Sequence, residues 1–153
     1  MLEDILSVWV LLAVGVMFGV LGFLWIALLP MFRSLSGPGF TTACQGIEME
    51  TAHPILFWNA IVAIALAVVL AIVTDSWPAR ILLAAGAVGT ALVGIISEGR
   101  NRPMWRQIEK WNPDALPTDW SEIRTRWNFY HSLRTIAAGI AFAAFAVAAV
   151  IIV

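Results

Sequence analysis

Four long apolar runs, each about as long as a bilayer is thick, constrain this chain more than any other feature. They cover residues 5–29, 55–74, 79–97 and 132–153. A helix needs about 20 mostly apolar residues to cross the hydrocarbon core of a membrane. The runs do not alternate apolar and polar residues as barrel strands do, so helices must satisfy the backbone. The sequence predicts a single transmembrane domain over 1–153, an all-α integral membrane four-helix bundle.

The composition agrees with a protein that lies in lipid. Of the 153 residues, 61% are hydrophobic and 12% are charged, whereas soluble domains are about half apolar and a quarter charged. The net charge is −1 and there is no basic tail, so we expect the bilayer as a partner and no nucleic acid. The single cysteine, Cys44, excludes an internal disulfide.

The first polar connection covers residues 30–53. Its segment 40–50 follows a Gly-Pro-Gly turn signal and has apolar residues at helical spacing, which predicts a short helix at the membrane interface. The pair His53-Pro54 is expected to begin the second membrane helix, because proline belongs in a first turn and disfavours the helical conformation of the residue before it. His53 would then be an interfacial residue at a helix start.

The second polar connection covers residues 103–118. Pro103 is expected to interrupt the third helix, because proline lacks the N–H group that a helix interior needs. Asp119 followed three residues later by Glu122 resembles a capping box and predicts the start of the last helix. Between these points, basic and acidic residues suggest another short interfacial helix.

Basic residues are distributed unevenly between the two sides of the membrane. Four spans put both termini on one side, which holds only Arg80. The positive-inside rule therefore predicts cytoplasmic connections and termini outside the cell. The basic residues on the side of the connections are Arg33, Arg100, Arg102, Arg106, Lys110, Arg124, Arg126 and Arg134.

Polar side chains near the membrane rim form the candidate site. Ionisable groups at membrane depth are costly and mark function by default. Trp127, His131 and Arg134 share one helix face because their spacing follows the helical repeat. Glu98 and Arg102 stand at i and i+4, the spacing of a surface ion pair. No zinc motif, phosphate loop or nucleophile elbow is present. The candidates are Gln45, His53, Asn59, Glu98, Asn101, Trp127, His131 and Arg134.

Three short motifs carry a resemblance to a known family. They are Cys44-Gln45-Gly46-Ile47, Arg100-Asn101-Arg102, and the Trp-x-x-x-His-x-x-Arg pattern that enters the last helix. Together with four spans, they resemble the anthrone oxygenase-like family of small membrane proteins. The resemblance implies an oxidoreductase, a monooxygenase that converts polyketide anthrones to anthraquinones without a classical cofactor.

An anthrone carries an acidic methylene group whose deprotonation gives an electron-rich enolate that reacts with dioxygen. His131 could be the general base, since imidazole titrates near neutrality. Arg134 or Asn101 could hold the enolate oxygen. We expect His131 and Arg134 to face the bundle interior, with Asn101 bonded to one of them and Glu98 as the nearest carboxylate. The hydrophobic substrate would be bound by Trp127, Trp58, Phe57, Gln45 and Asn59.

Two other classes of function remain open from the sequence. His53 and His131 could hold haem or copper, with Cys44, Met49 and Met104 nearby in sequence, since these metals accept imidazole and soft sulfur ligands. Alternatively, the chain could be a non-catalytic accessory subunit whose glycine and alanine seams pack against partner helices or against a second copy in a homo-oligomer. In that case Trp127 and Arg134 would be interfacial anchors.

Overall fold

A computed structural model describes the backbone of residues 1–47 and 49–152. It also describes the side chains of these residues, except those of residues 49–52. Helices make up 87% of the structure and the described residues contain no strand, which confirms the predicted all-α class. Two π turns, Leu24–Leu28 and Ser97–Asn101, join α1 to α2 and α5 to α6. The helices are α1 (Leu2–Phe23), α2 (Leu29–Ser34), α3 (Gly37–Gln45), α4 (Met49–Val73), α5 (Trp77–Ile96), α6 (Arg102–Ile108) and α7 (Trp120–Ile152).

Four helical segments are long and apolar enough to cross a membrane, as predicted. They are Leu2–Ser34, His53–Val73, Trp77–Ile108 and Trp120–Ile152. Each contains one of the predicted apolar runs, except for a few residues at the run ends. The chain is therefore built as a multi-pass membrane protein.

Small residues allow α5 and α7 to pack closely. A Cβ atom added to Gly86 would lie 2.6 Å from the ring of Phe145, and one added to Gly89 would lie 3.0 Å from Ala141. Phe145 and Ala141 are fully buried in the bundle core. The small-residue seam of α5 therefore serves a contact within the chain, where close approach of helices maximises van der Waals packing.

Pro103 does not end its helix, contrary to expectation. The helix continues through the π turn Ser97–Asn101 into α6, and Arg102 donates its N–H to the carbonyl of Ser97, five residues earlier. Proline lacks an N–H donor and clashes with the carbonyl four residues before it. A widened turn just ahead of the proline accommodates that clash, and such π turns often occur at functional sites. Pro30 follows the other π turn in the same way.

The second membrane helix also begins earlier than predicted. Helix α4 begins at Met49, so Pro54 lies inside it and His53 is helical rather than a residue at the helix start. Pro54 is the sixth residue of α4, so its missing N–H falls after the first turn and costs one intrahelical hydrogen bond. The short helix predicted over 40–50 is α3 (Gly37–Gln45), with Ser36 as its N-cap. Glu48 lies outside the described residues.

A second cluster of buried side chains lies next to the membrane bundle, and we call it the cap. It joins α2, α3, α6 and the first turns of α7. Gln45 donates its amide to the carbonyls of Glu109 and Trp111 at 3.1 and 2.9 Å. Burial in this cluster raises the pKa of the Cys44 thiol to about 12. The cap includes Leu29, Phe32, Phe40, Cys44, Trp105, Ile108, Ile123 and Trp127.

Candidate active site

The bundle encloses an apolar cavity with a polar end, and we call it the central cavity. Its volume is about 200 Å³. An apolar cavity of about 150 Å³ is large enough to bind benzene, so this one can hold an aromatic ring system. Helices α1, α4, α5 and α7 all contribute to its wall. The lining residues are Met17, Val20, Leu21, Leu24, Ile47, His53, Leu56, Phe57, Ala60, Val93, Gly94, Ser97, Glu98 and Arg134.

His53 and Glu98 contact each other at the polar end of this cavity. Nε2 of His53 lies 2.8 Å from Oε1 of Glu98, and the imidazole is only 14% exposed. The other carboxylate oxygen accepts from Nη1 of Arg102 at 2.9 Å. The predicted i, i+4 contact between Glu98 and Arg102 is thus present. The carboxylate also contacts His53 on α4, and this contact was not predicted from the sequence.

Arg134 brings a buried cation to the same end of the cavity. Its side chain is 6% exposed, and its Nη1 donates to Oγ of Ser97 at 3.0 Å. Its Nε and Nη2 donate to Nδ1 of His131 at 3.2 and 2.8 Å. Among the residues whose side chains are described, 1–47 and 53–152, no carboxylate forms an ion pair with this guanidinium. Glu98, which we expected to pair with Arg134, is instead held by His53 and Arg102.

His131 is fully buried and accepts hydrogen bonds from Arg134. A guanidinium has donors only, so Nδ1 must accept and the proton of the neutral ring must lie on Nε2. That nitrogen lies 3.3 Å from the carbonyl oxygen of Leu21. The ring stacks on Trp127 with centroids 5.2 Å apart. The expectation that His131 and Arg134 face the interior is confirmed, but both ring nitrogens of His131 have partners and the ring does not line the central cavity.

Asn101 is buried at the π turn but does not bond to His131 or Arg134 as expected. Its Nδ2 donates to the carbonyl of Trp127 at 3.1 Å. Since the NH2 group faces that carbonyl, the other amide atom, Oδ1, can only accept a hydrogen bond. No described residue donates one to it. The residue lines a small pocket of about 20 Å³, which is room for one water molecule. The pocket is shared by His53, Asn101, Arg102, Trp105, Arg106, Trp127 and Arg134.

The other predicted binding residues are separated by the fold. Phe57 lines the central cavity and packs edge-on against Trp58, which is 62% exposed on the outer surface of α4. Asn59 donates to the carbonyl of Ala13 at 2.8 Å, a contact between α4 and α1. Gln45 belongs to the cap through its bonds to two backbone carbonyls. Trp58 therefore faces the outer surface, whereas Asn59 and Gln45 are bonded to backbone carbonyls elsewhere in the fold.

Cys44 and His131, two of the residues proposed for haem or copper, lie in different packing environments. In the described part of the chain, no three His, Cys, Asp or Glu side chains are close enough to share a metal ion. Cys44 is buried in the cap, and His131 uses both ring nitrogens within the bundle. The side chain of Met49 lies outside the described residues.

The pairing of His53 with Glu98 was not predicted from the sequence. Each residue was assigned a separate and local role, a helix start for one and a surface ion pair for the other. The available signal was their depth, since both lie near the same rim of two neighbouring membrane helices. A partly buried histidine beside a carboxylate is a common arrangement for proton transfer.

The comparisons with known proteins point to one family. The sequence model of the family described as anthrone oxygenase matches residues 47–144, which is 98 of the 153 residues. The matched segment contains the contacting residues His53 and Glu98 and the buried Arg134 of α7. No curated protein and no solved structure matched the chain. Because the match covers more than half of the sequence, this chain belongs to the anthrone oxygenase family.

Proposed function

We propose that this protein is a membrane-embedded oxygenase that acts on a hydrophobic, anthrone-type aromatic substrate. The observation that carries the proposal is Arg134, a buried guanidinium without a described carboxylate partner, at the polar end of an apolar cavity. A cation in that position is costly unless a ligand or a developing negative charge meets it. The family membership supports the same substrate class.

Arg134 would stabilise the negative charge that forms on the substrate oxygen. The methylene group of an anthrone is conjugated with the carbonyl through the aromatic rings, so its deprotonation puts negative charge on the carbonyl oxygen. Fixed donors in a site without bulk water stabilise that charge strongly. Three of the five guanidinium N–H groups are used by His131 and Ser97. The remaining donors are free to meet a carbonyl at the cavity end, and Ser97 and His131 hold the guanidinium in one orientation.

The His53–Glu98 pair would accept the proton from the substrate methylene group. His53 lines the cavity, whereas His131, our base from the sequence alone, has both nitrogens bonded inside the bundle. Glu98 stabilises the imidazolium that forms when the pair takes up a proton. In this proposal His131 is a positioning residue for Arg134, and Asn101 is an acceptor for a donor group rather than an oxyanion stabiliser.

The proposed reaction needs no prosthetic group, because the substrate supplies the electrons. The carbanion formed by deprotonation transfers an electron to dioxygen, and the two radicals combine to form a C–O bond. The resulting peroxide then loses its second C–H proton and the O–O bond breaks, which gives a carbonyl and water. The sum is anthrone plus dioxygen giving anthraquinone plus water, in which four electrons from the substrate reduce dioxygen.

The test is oxidation of 9-anthrone by purified protein in lipid nanodiscs. Dioxygen consumption and anthraquinone absorbance are both measured, with the spontaneous reaction subtracted. We expect Glu98→Gln and His53→Gln to lose most of the activity. The matched control is Glu122→Gln, because Glu122 also pairs with an arginine at i+4 but is exposed. Equal loss in that control, or no wild-type activity above background, would refute the proposal.

We further propose that the polar connections lie in the cytoplasm and both termini outside. The support is the distribution of basic residues, which leaves only Arg80 on the side of the termini. In this orientation the His53–Glu98 pair exchanges its proton with the cytoplasmic side. We also propose that the substrate is a neutral small molecule dissolved in the bilayer.

A further inference from the structure

An apolar groove runs along the outer surface between α4 and α5. Its volume is about 310 Å³. On α4 it extends from Phe57 to Ile64, about 10 Å along the axis at 1.5 Å per residue. Exposed side chains such as Ile61 and Ile95 form part of its wall, so the groove faces the lipid. The lining residues are Phe57, Ala60, Ile61, Ile64, Thr90, Ala91, Gly94, Ile95 and Glu98.

The groove adjoins the central cavity. The two share Phe57, Ala60, Gly94 and Glu98 as lining residues. Ala60 and Gly94 are small, and a Cβ atom added to Gly94 would meet nothing within 4 Å. The boundary between groove and cavity is therefore lined by small side chains of α4 and α5, and Glu98 lines both spaces.

We propose that this groove is the entrance through which the substrate passes from the bilayer into the central cavity. The proposal rests on the proposed function for the identity of the substrate, a neutral, flat and largely apolar aromatic ketone. Such a molecule concentrates in lipid, because removal of its apolar surface from water is favourable. Entry between α4 and α5 keeps it in an apolar environment until its carbonyl meets Arg134.

Photolabelling with benzophenone, an apolar diaryl ketone, tests the route without requiring turnover. Protein in lipid nanodiscs that contain benzophenone is irradiated, and adducts on Met17 are followed by mass spectrometry. Met17 lines the central cavity but not the groove. Ala91→Phe fills the groove without entering the cavity, since Ala91 lines only the groove. Gly94→Leu narrows the shared boundary.

We expect Met17 labelling to fall by about tenfold in both variants, equivalent to about 1.4 kcal/mol on the barrier to entry. The matched control is Gly19→Phe, because Gly19 is exposed on α1, outside both lining sets, and an added Cβ meets nothing within 4 Å. That control should label Met17 at the wild-type rate. Folding of each variant is checked by a monodisperse elution profile.

Wild-type labelling of Met17 in both Ala91→Phe and Gly94→Leu would overturn the entrance, as would absence of the adduct in the wild type. Turnover of 9-anthrone is measured separately on the same samples. If the wild type takes up benzophenone by this route but oxidises no anthrone, the proposed function fails and the entrance stands. If anthrone is oxidised equally fast in all variants, the entrance fails and the proposed function stands.

Discussion

Two N–H groups of Arg134 bind one ring nitrogen of His131, with Nη2 at 2.8 Å and Nε at 3.2 Å from Nδ1. The arginine cannot accept a hydrogen bond, so the imidazole must. The relationship gives the two residues different roles. Arg134 lines the central cavity, and His131 holds it there from the bundle interior.

Replacement of Arg134 should lower the turnover number more than it changes substrate binding. Loss of one preorganised oxyanion donor typically costs about 10²–10³ in kcat, and we expect Arg134→Gln to fall in that range for 9-anthrone. Arg134→Lys keeps the charge but loses the fork that Ser97 and His131 hold, so it should recover only part of the activity. Arg126→Gln is the control, because that side chain is 59% exposed. An unchanged kcat in Arg134→Gln would remove the guanidinium from the reaction.

His131 should affect stability and positioning without setting the pH dependence. His131→Leu leaves buried donors of Arg134 unsatisfied, which costs about 1–3 kcal/mol in the free energy of unfolding. His131→Gln supplies an acceptor and should restore much of the loss. Unfolding in mixed micelles measures both variants. The pH profile of kcat/KM should keep its shape in His131→Gln and change in His53→Gln, and the reverse pattern would make His131 the base.

Two glycines of α5 should respond to alanine with opposite signs. Gly86→Ala places a methyl group against the buried ring of Phe145, where the nearest approach is 2.6 Å, and such overpacking costs about 1–3 kcal/mol. Gly94→Ala meets no atom within 4 Å and should gain up to about 1 kcal/mol from helix propensity. The free energy of unfolding in mixed micelles is measured for both variants. A Gly86→Ala variant more stable than the wild type would contradict the close packing of α5 against Phe145.

Cys44 should resist alkylation. Burial is the main cause of the rise in its pKa to about 12 from the ordinary 9.0, and nearby Glu109 adds to it. The thiolate is the reactive form, so at pH 8 a rise of this size lowers its population by roughly 10³-fold. The rate of reaction with N-ethylmaleimide is measured for Cys44 and for Ser121→Cys in a Cys44→Ala background. Ser121 is an exposed position on α7. Comparable rates at the two sites would contradict the burial of Cys44.

Cysteine labelling in the turn between α4 and α5 tests the orientation of the chain in the membrane. Asp75 lies between α4 and α5 on the side of the termini. In a Cys44→Ala background, Asp75→Cys should react with an impermeant maleimide in intact cells, whereas Lys110→Cys should react only after lysis. Labelling of Asp75→Cys from the cytoplasm alone would reverse the proposed orientation.

The helices themselves could be predicted from local sequence. The length of an apolar run and the helical repeat are properties of neighbouring residues, so they indicated four spans, the start of α7 near residue 119 and the common face of Trp127, His131 and Arg134. Burial of that face follows because a cation facing hydrocarbon is unfavourable. Pro54 and Pro103 misled the prediction of helix ends, because α4 already begins before Pro54 and a π turn accommodates Pro103 within a continuing helix.

The contacts that make the site depend on how the helices rotate and slide against one another. Nothing local to His53 or Glu98 says that their side chains meet at 2.8 Å, since each also fits a simpler role on its own helix. The same holds for Asn101, which bonds to a backbone carbonyl of α7, and for Gln45, which belongs to the cap. Sequence determined which segments lie in the membrane, through local hydrophobicity. Tertiary packing alone decided which polar groups converge on the cavity, because depth and helix rotation are set by side-chain packing between distant segments.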